Sequence, residues 1–274
     1  MNVLLTGAGS GIGAAIASLY ADNGHRVYAL DIKPAAPAKN ITPFAADIRD
    51  EGALSAVAQA LREQSVQLDC IINVAGIFLM DSFLEIGEDK LRAVFDVNLL
   101  GAVRVNKIFF PLLRKNGKIF ITTSEVAPLD PLPFNGIYGV SKTALDAYAQ
   151  ALRHEAGLLG AKVVTVRPGA IRTPLAQGSV PAMRKMSETS AYFGGQAEKF
   201  QRIMEKFTGR MLAPERVAQK IYKVSFKKCP KCVYRIHNNV LLKLLSALPK
   251  RWQVAIIYRL LGGKKAEKAR RAQR

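Results

Sequence analysis

The chain has 274 residues, of which 49% are hydrophobic and 22% charged, and its formal net charge is +19. This length and composition fit one α/β domain with an appendage, and they argue against two full domains and against disorder ahead of the C-terminal tail. The charge is unevenly placed, because residues 227–274 hold 14 Lys or Arg and the single acid Glu267.

The first elements predict a phosphate-binding turn. The apolar run Val3-Leu4-Leu5 predicts a buried strand, Gly7 to Gly13 form a glycine-rich turn, and Ala14 to Tyr20 predict a helix. Glycines at a strand-to-helix turn let the backbone approach a pyrophosphate, and the helix N-terminus offers unpaired N–H groups and partial positive charge to that anion. Because the chain starts directly at this strand with no secretory signal, a cytoplasmic location is expected.

An acidic residue follows the next strand. Arg26 to Leu30 predict that strand, and Asp31 comes 18 residues after Gly13, close to the interval of ~20 residues typical of dinucleotide sites. A carboxylate there can accept hydrogen bonds from ribose hydroxyls and would repel a 2′-phosphate. This favours NAD, while Lys33 two residues later leaves NADP possible.

Strand-like and helix-like segments continue to alternate along the chain. Predicted strands cover residues 41–46, 68–73, 118–121 and 162–166, and predicted helices cover 52–64, 90–113 (one long helix or a pair) and 138–159. This alternation predicts a doubly wound parallel sheet with ligands beyond the carboxyl ends of the strands. Tyr138 and Lys142 are four residues apart on one helix face. A lysine ammonium there would lower the phenol pKa from its usual ~10 and make Tyr138 a proton-transfer group.

These motifs together resemble the short-chain dehydrogenase/reductase family in its compact single-domain form, from Met1 to about Phe226. The resemblance rests on Gly7-x-x-x-Gly11-x-Gly13, on Asn73-Val74-Ala75-Gly76, and on Tyr138 with Lys142. It implies a Rossmann-type, three-layer α/β/α fold, an NAD(P)-dependent reaction on CH–OH groups, and a homodimer or homotetramer.

The resemblance also implies site residues. The catalytic set would be Asn98, Ser124, Tyr138 and Lys142. Ser124 stands 14 residues before Tyr138, one more than is usual in the family, so Thr123 and Glu125 compete for the role of the serine. The cofactor would be bound by Gly7, Ser10, Gly11, Ile12, Gly13, Asp31, Asp47, Ile48, Asn73, Ala75, Gly76, Tyr138, Lys142, Pro168, Gly169, Ile171 and Thr173.

The expected domain covers residues 1–226 and includes a substrate lid over 174–211. Apolar residues in the lid favour a lipophilic substrate, although the same spacing is typical of any packed helix. They are Leu175, Val180, Met183, Met186, Tyr192, Phe193, Phe200, Ile203, Met204 and Phe207.

Residues 227–274 form the expected C-terminal extension, with two apolar helical segments at Val240 to Leu245 and Trp252 to Leu261. Both are shorter than the ~20 residues that span a bilayer. Apolar and basic residues together favour peripheral contact of 238–274 with an anionic inner membrane face. The alternatives are a cover over the pocket or a subunit contact, and nonspecific nucleic acid binding is a weaker third. No metal is expected, since Cys229 and Cys232 supply only half of a four-ligand zinc site.

The function predicted from the sequence is NAD(H)-dependent interconversion of a secondary alcohol and a ketone on a lipid, steroid or retinoid-like molecule. The alternatives are a 3-oxoacyl thioester reductase and a non-catalytic dinucleotide-binding scaffold or redox sensor.

Overall fold

A computed structural model of the chain describes residues 1–177, 179–208 and 211–262. Seven strands form one parallel sheet in the order β3-β2-β1-β4-β5-β6-β7. The strands are β1 (Asn2–Thr6), β2 (Arg26–Asp31), β3 (Ile41–Ala45), β4 (Leu68–Asn73), β5 (Leu113–Thr122), β6 (Lys162–Pro168) and β7 (Val233–Ile236).

Helices connect the strands and cover both faces of the sheet. They are α1 (Gly11–Asp22), α2 (Glu51–Glu63), α3 (Glu88–Phe95), α4 (Ala102–Phe109), α5 (Gly136–Leu158), α6 (Pro174–Gln177), α7 (Ser179–Thr189), α8 (Gly194–Thr208), α9 (Pro214–Ser225), α10 (Val240–Ala247) and α11 (Lys250–Leu261). The segment predicted as one long helix or a pair is a pair, α3 and α4, joined by a π-helical turn over Asp96–Gly101.

Alternate side chains of the central strands enter two separate cores. Leu4 packs into the core beneath α2, α4 and α5, whereas its neighbours Val3 and Leu5 pack into the core beneath α1 and α9. Burial on both faces explains why these strands are continuous apolar runs in the sequence. The predicted three-layer α/β/α architecture is confirmed.

The sheet reverses its winding at β1, which pairs with β2 on one side and β4 on the other. In doubly wound sheets, a crevice opens at this point beyond the carboxyl ends of the strands. Thr6, Asn73 and Thr122 end β1, β4 and β5, and place the residues that follow them at the crevice.

The seventh strand, β7, was not expected from the sequence. It is only four residues long, and it lies beyond the boundary placed after residue 226, in the segment assigned to the extension. Its pairing with β6 makes residues 233–236 part of the central sheet.

The C-terminal helices α10 and α11, called the hairpin below, pack against the lid and against the loop after β5. Leu261 joins a third apolar cluster with Met80, Phe134 and the lid residues Met183, Met186, Ala197 and Phe200, and Phe193, Ile203 and Met204 pack around it. Much of the apolar lid therefore packs with the hairpin, while Leu175 and Tyr192 are exposed. The side chains of Val180 and Phe207, and residues 263–274 with their basic run, lie outside the described part of the chain.

Candidate active site

The glycine turn after β1 is built by close backbone contacts. A Cβ at Gly13 would lie 1.9 Å from the Gly7 carbonyl oxygen, and Gly7 and Gly11 have positive φ angles of 70° and 52°. Side chains are excluded by contact at Gly13 and disfavoured by backbone conformation at the other two positions. Thr173 lies beside Gly11, where a Cβ would be 2.9 Å from its methyl group. The turn therefore brings the start of α1 against the loop after β6.

Asp31 is fixed at the rim of this turn. Its carboxylate accepts hydrogen bonds from the Gly9 N–H at 2.8 Å and the Lys33 N–H at 2.9 Å. These bonds orient the carboxylate beside the glycine turn. The carboxylate of Asp31 is thus held at the position where the sequence predicted a contact with the ribose.

Other residues predicted to touch the cofactor have partners within the protein. The Asp47 carboxylate pairs with Arg49, which lowers the pKa of Asp47. Ile48 is buried in the core against Gly101, and Ile171 is buried and forms a backbone bridge with Leu212.

Asn73 and its loop connect strand ends to the site. The Asn73 amide donates to Asn106 Oδ1 at 2.9 Å, and the Thr6 hydroxyl oxygen accepts from the Ala75 N–H at 3.3 Å. A Cβ at Gly76 would lie 3.1 Å from Asn98 Oδ1 and 3.3 Å from Lys142 Nζ. The predicted Gly76, Asn98 and Lys142 therefore meet at one point.

Asn98 lies in the π-helical turn and is 1% exposed. Its amide nitrogen donates to the Ile77 carbonyl and to Ser141 Oγ, both at 3.0 Å, and its oxygen accepts from the Ile77 N–H at 2.8 Å. Single π-helical turns are frequent at functional sites. Here the turn aims a fully bonded amide at α5, the helix that carries Tyr138 and Lys142.

Lys142 is buried in the centre of the site and is 5% exposed. Its ammonium donates to the Thr122 carbonyl at 3.3 Å and lies 5.8 Å from the centroid of the Tyr138 ring. Loss of hydration lowers the pKa of Lys142 to about 8. The side chain therefore changes its charge within the range in which enzymes work.

Tyr138 and Ser124 are in hydrogen-bonding contact. Of the competing residues, the Thr123 hydroxyl donates to Asp146 at 3.2 Å and Glu125 accepts from the Asn239 N–H. This geometry favours Ser124 as the residue beside the phenol.

The predicted lowering of the Tyr138 pKa is wrong for this structure. Burial raises the pKa of Tyr138 to about 12, an effect that the hydrogen bond to Ser124 opposes and the charge of Glu125 reinforces. The ammonium of Lys142 lies near the ring, and desolvation of the phenol is the larger effect. The phenol is consequently a proton donor at neutral pH.

Two residues near the site, Ser141 and Phe78, were missed by the sequence reasoning. Ser141 bonds to both Asn98 and the Tyr138 carbonyl, and its position directly before Lys142 was an available signal. Phe78 packs edge-on against Tyr138 with ring centroids 4.7 Å apart. Phe78 stands in a loop, where periodicity gives no signal.

The fold and site can now be compared with known proteins. The family model for short chain dehydrogenases matches residues 1–184. The chain belongs to the short-chain dehydrogenase/reductase family. The resemblance seen in the sequence is thereby confirmed, and the protein is an oxidoreductase of the kind that acts on CH–OH groups.

Three relatives illustrate this membership. A 3-ketodihydrosphingosine reductase of Bacteroides thetaiotaomicron is 29% identical over 91% of this chain and 92% of its own. Oxidoreductase UcpA of Escherichia coli is 30% identical over 64% of this chain and 70% of its own. A short chain dehydrogenase family protein of Francisella tularensis has the same fold, with a TM-score of 0.72 at 23% identity over 86% of this chain and 96% of that one.

Members of the family bind NAD(P), and the residues present fit such a cofactor. The glycine turn leaves a cradle that a Cβ would fill, and the Ser10 side chain makes no capping hydrogen bond to α1. Within the described residues, Asn73 Oδ1 and Thr122 Oγ1 are buried without a hydrogen-bond partner at the strand ends nearby. Uncapped N–H groups and unpaired polar atoms are what a polar ligand at this crevice requires.

The buried ammonium generates a prediction for stability. Replacement of Lys142 by Met removes a charge whose burial costs free energy, so we expect Lys142→Met to raise the free energy of unfolding at pH 7 by about 1 to 3 kcal/mol. The folded protein loses this proton near pH 8, while the unfolded chain holds it to about 10.5. The free-energy cost of burying the charge therefore decreases as the pH rises from about 8 to about 10.5. The stability advantage of Lys142→Met over the wild type should be smaller at pH 9.5 than at pH 7.

Urea denaturation at the two pH values measures this difference. Lys115→Met, at an exposed lysine, is the matched control and should change stability little at either pH. A Lys142→Met protein that is less stable than the wild type at both pH values would contradict the prediction.

Proposed function

We propose that this protein is an NAD(H)-dependent oxidoreductase that interconverts a secondary alcohol and a ketone on a lipophilic substrate, with Tyr138 as the acid/base. One observation carries the proposal: the Tyr138 phenol lies within interaction range of Ser124 and its ring packs against Phe78 with centroids 4.7 Å apart. Phe78 itself packs against the apolar cluster of lid and hairpin. A proton donor thus faces a largely apolar wall.

The proposed proton chemistry follows from this geometry. The carbonyl oxygen of a ketone would accept hydrogen bonds from Tyr138 and Ser124, and Tyr138 would give up its proton as that oxygen gains negative charge. NAD(H), when bound, supplies or accepts the hydride. Because its pKa is high, Tyr138 holds its proton at neutral pH and is in the form that donates to a ketone.

Lys142 and Asn98 would support Tyr138. The Lys142 ammonium stabilises the phenolate that remains after proton transfer, and Asn98 holds the loop and helix that bring Lys142 to it. The role of a water held near Asn98, as a relay to the lysine, is part of the same proposal.

Two observations support a lipophilic ketone as the substrate. The third apolar cluster contains Met183, Met186 and Phe200 of the lid with Met80 and Phe134 of the adjoining loops. The relative from Bacteroides thetaiotaomicron is named for the reduction of 3-ketodihydrosphingosine. A keto group on a lipophilic molecule would therefore suit the apolar side chains near Tyr138.

The preference for NAD rests on Asp31. Its two carboxylate oxygens are held by the N–H groups of Gly9 and Lys33, so its charge is fixed at the rim of the glycine turn. A 2′-phosphate there would meet this charge at close range.

We further propose that the hairpin rests on an anionic membrane. Its outward residues include Leu241, Leu244, Trp252 and Val254, each about 60% exposed or more. Residues 240–262 include Lys243, Lys250, Arg251 and Arg259 and contain no Asp or Glu. Among the described residues, no helix has the length and apolar character needed to cross a bilayer. Apolar side chains flanked by cations are typical of segments that lie in the interface.

Association of copies into a homodimer or homotetramer stays a proposal. Leu100 and Val140, near the start of α4 and in α5, are exposed apolar side chains that support a contact on this side of the molecule.

The catalytic proposal predicts that Tyr138→Phe abolishes turnover. The phenylalanine ring fills the same space and lacks the proton, so we expect at least ~10²-fold loss in kcat with little change in the affinity for NADH. The measurement is a screen of lipophilic ketones and alcohols with NADH, NAD, NADPH and NADP, followed by kinetics on the best substrate. Tyr148→Phe, on the same helix, is the matched control, and retention of wild-type turnover by Tyr138→Phe would refute the proposed acid/base.

The cofactor proposal predicts a change in preference on neutralising Asp31. The wild type should favour NADH over NADPH, and Asp31→Ala should reduce this ratio at least ~10-fold, since a repulsion worth one or more kcal/mol at close range is removed. Titration of each dinucleotide by fluorescence gives both dissociation constants without turnover. Equal binding of the two by the wild type would contradict the role given to Asp31.

The membrane proposal predicts loss of binding on removal of exposed apolar side chains. Leu241→Ser combined with Trp252→Ser should reduce cosedimentation of the full chain with vesicles of phosphatidylserine and phosphatidylcholine by ~10-fold or more. Leu158→Ser combined with Leu159→Ser is the control, because these residues are at least as exposed and lie outside the hairpin. Binding should also weaken in high salt, and equal sedimentation of both double variants with the wild type would exclude this surface.

A further inference from the structure

Glu125 is a buried carboxylate that the proposed reaction does not use. It directly follows Ser124, is 8% exposed, and its N–H donates to the Pro168 carbonyl at 2.8 Å. A Cβ at Gly169 would lie 3.1 Å from Glu125 Oε1. The residue therefore lies between the serine loop and the loop after β6.

The other carboxylate oxygen of Glu125 reaches the C-terminal hairpin. It accepts a hydrogen bond from the N–H of Asn239, the residue that caps α10. The Asn239 side chain in turn accepts from the Leu241 N–H at 2.9 Å. Glu125 and Asn239 thus fix the beginning of the hairpin against the catalytic loop.

The chain that leads into the hairpin is also tightly held. His237 has a positive φ of 57°, and its carbonyl oxygen would lie 1.9 Å from a Cβ at Gly169. The Gly169 N–H donates to the Ile236 carbonyl at 2.8 Å. The segment before the hairpin is therefore in close backbone contact with the loop after β6.

A second attachment lies at the far end of the same loop. Asp130 accepts a hydrogen bond from the Gln253 amide at 2.7 Å and forms an ion pair with Lys250. Its N–H donates to Ser246 Oγ at 2.9 Å. The loop from Glu125 to Asp130 is bonded to the hairpin at both ends, and Ser124 immediately precedes it.

We propose that Glu125 is a positioning residue that couples the hairpin to the Ser124 and Tyr138 pair, so that docking of the hairpin sets the geometry of the catalytic loop. The inference rests on the proposed roles of Tyr138 and Ser124. It gives the extension a part in the reaction that is separate from membrane contact.

The charges around Glu125 determine what its removal does. His237 and Lys243 face it from the hairpin side, and Tyr138 faces it from α5, one helical turn from Lys142. Burial raises the pKa of Glu125, and the Asn239 N–H and the two basic side chains oppose that rise. When ionised, Glu125 disfavours the phenolate of Tyr138, so loss of its charge lowers the pKa of Tyr138.

Two variants of the full chain separate attachment from charge. Glu125→Ala loses both, and we expect hydrogen exchange of the amides at 239–247 to rise ~10-fold and kcat to fall ~10-fold. Glu125→Gln keeps an oxygen that accepts from Asn239 but loses the charge. Its exchange should match the wild type, while the pH midpoint of alcohol oxidation moves to lower pH by about half a unit.

Asp130→Ala is the matched control, because Asp130 holds the other end of the loop and alanine accepts no hydrogen bond from Gln253. It should increase exchange in the hairpin without moving the pH midpoint. Unchanged exchange in Glu125→Ala would overturn the attachment, and an unmoved midpoint in Glu125→Gln would overturn the coupling to Tyr138. Failure of the proposed function is distinguishable, since it would show as inactivity of the wild type, while hydrogen exchange reports on the attachment without turnover.

Discussion

The amide of Asn98 is the contact on which the geometry of the site depends. It is buried, and it joins the loop after β4 to α5 through Ile77 and Ser141. An amide in this position cannot be lost without leaving buried polar groups unpaired, which costs more than the bonds themselves are worth. The π-helical turn directs this side chain inward, and so the register of α5 relative to the sheet is fixed.

Helix α5 brings two titratable groups close together, Lys142 buried and Tyr138 partly buried. Burial lowers the pKa of Lys142 to about 8 and raises that of Tyr138 to about 12, so desolvation separates two values that are nearly equal in the free side chains. Such an arrangement costs folding free energy and places a proton donor beside a group that can support its conjugate base. The site uses burial, rather than proximity of opposite charges alone, to set proton affinity.

In the C-terminal extension, residues after 226 contact the sheet, the lid and the loop after β5 around this site. Its β7 strand completes the sheet, its hairpin packs on the lid through Leu261, and Glu125 and Asp130 bond it to the catalytic loop. The outward face of the same hairpin is apolar and basic. One element therefore meets the catalytic loop with its inner face and offers an interaction surface with its outer one.

The sequence by itself determined the layered fold, the glycine turn, and the placement of Tyr138 and Lys142 one turn apart on a helix, because these depend on local periodicity and on fixed spacing within one strand or helix. Buried parallel strands and a strand-to-helix turn can be recognised from the residue pattern of short stretches of chain. β7 was missed because four residues carry too little pattern, and neither the ion pair of Asp47 with Arg49 nor the burial of Ile48 against Gly101 is visible in a motif.

Only the tertiary structure decided the direction of the Tyr138 pKa, the contacts of Phe78 and Glu125, and the packing of the hairpin on the lid. Each depends on groups far apart in the chain, such as Glu125 and Asn239, whose approach is set by the packing of the whole sheet. Desolvation is a property of the assembled surroundings, and spacing along the chain does not encode it.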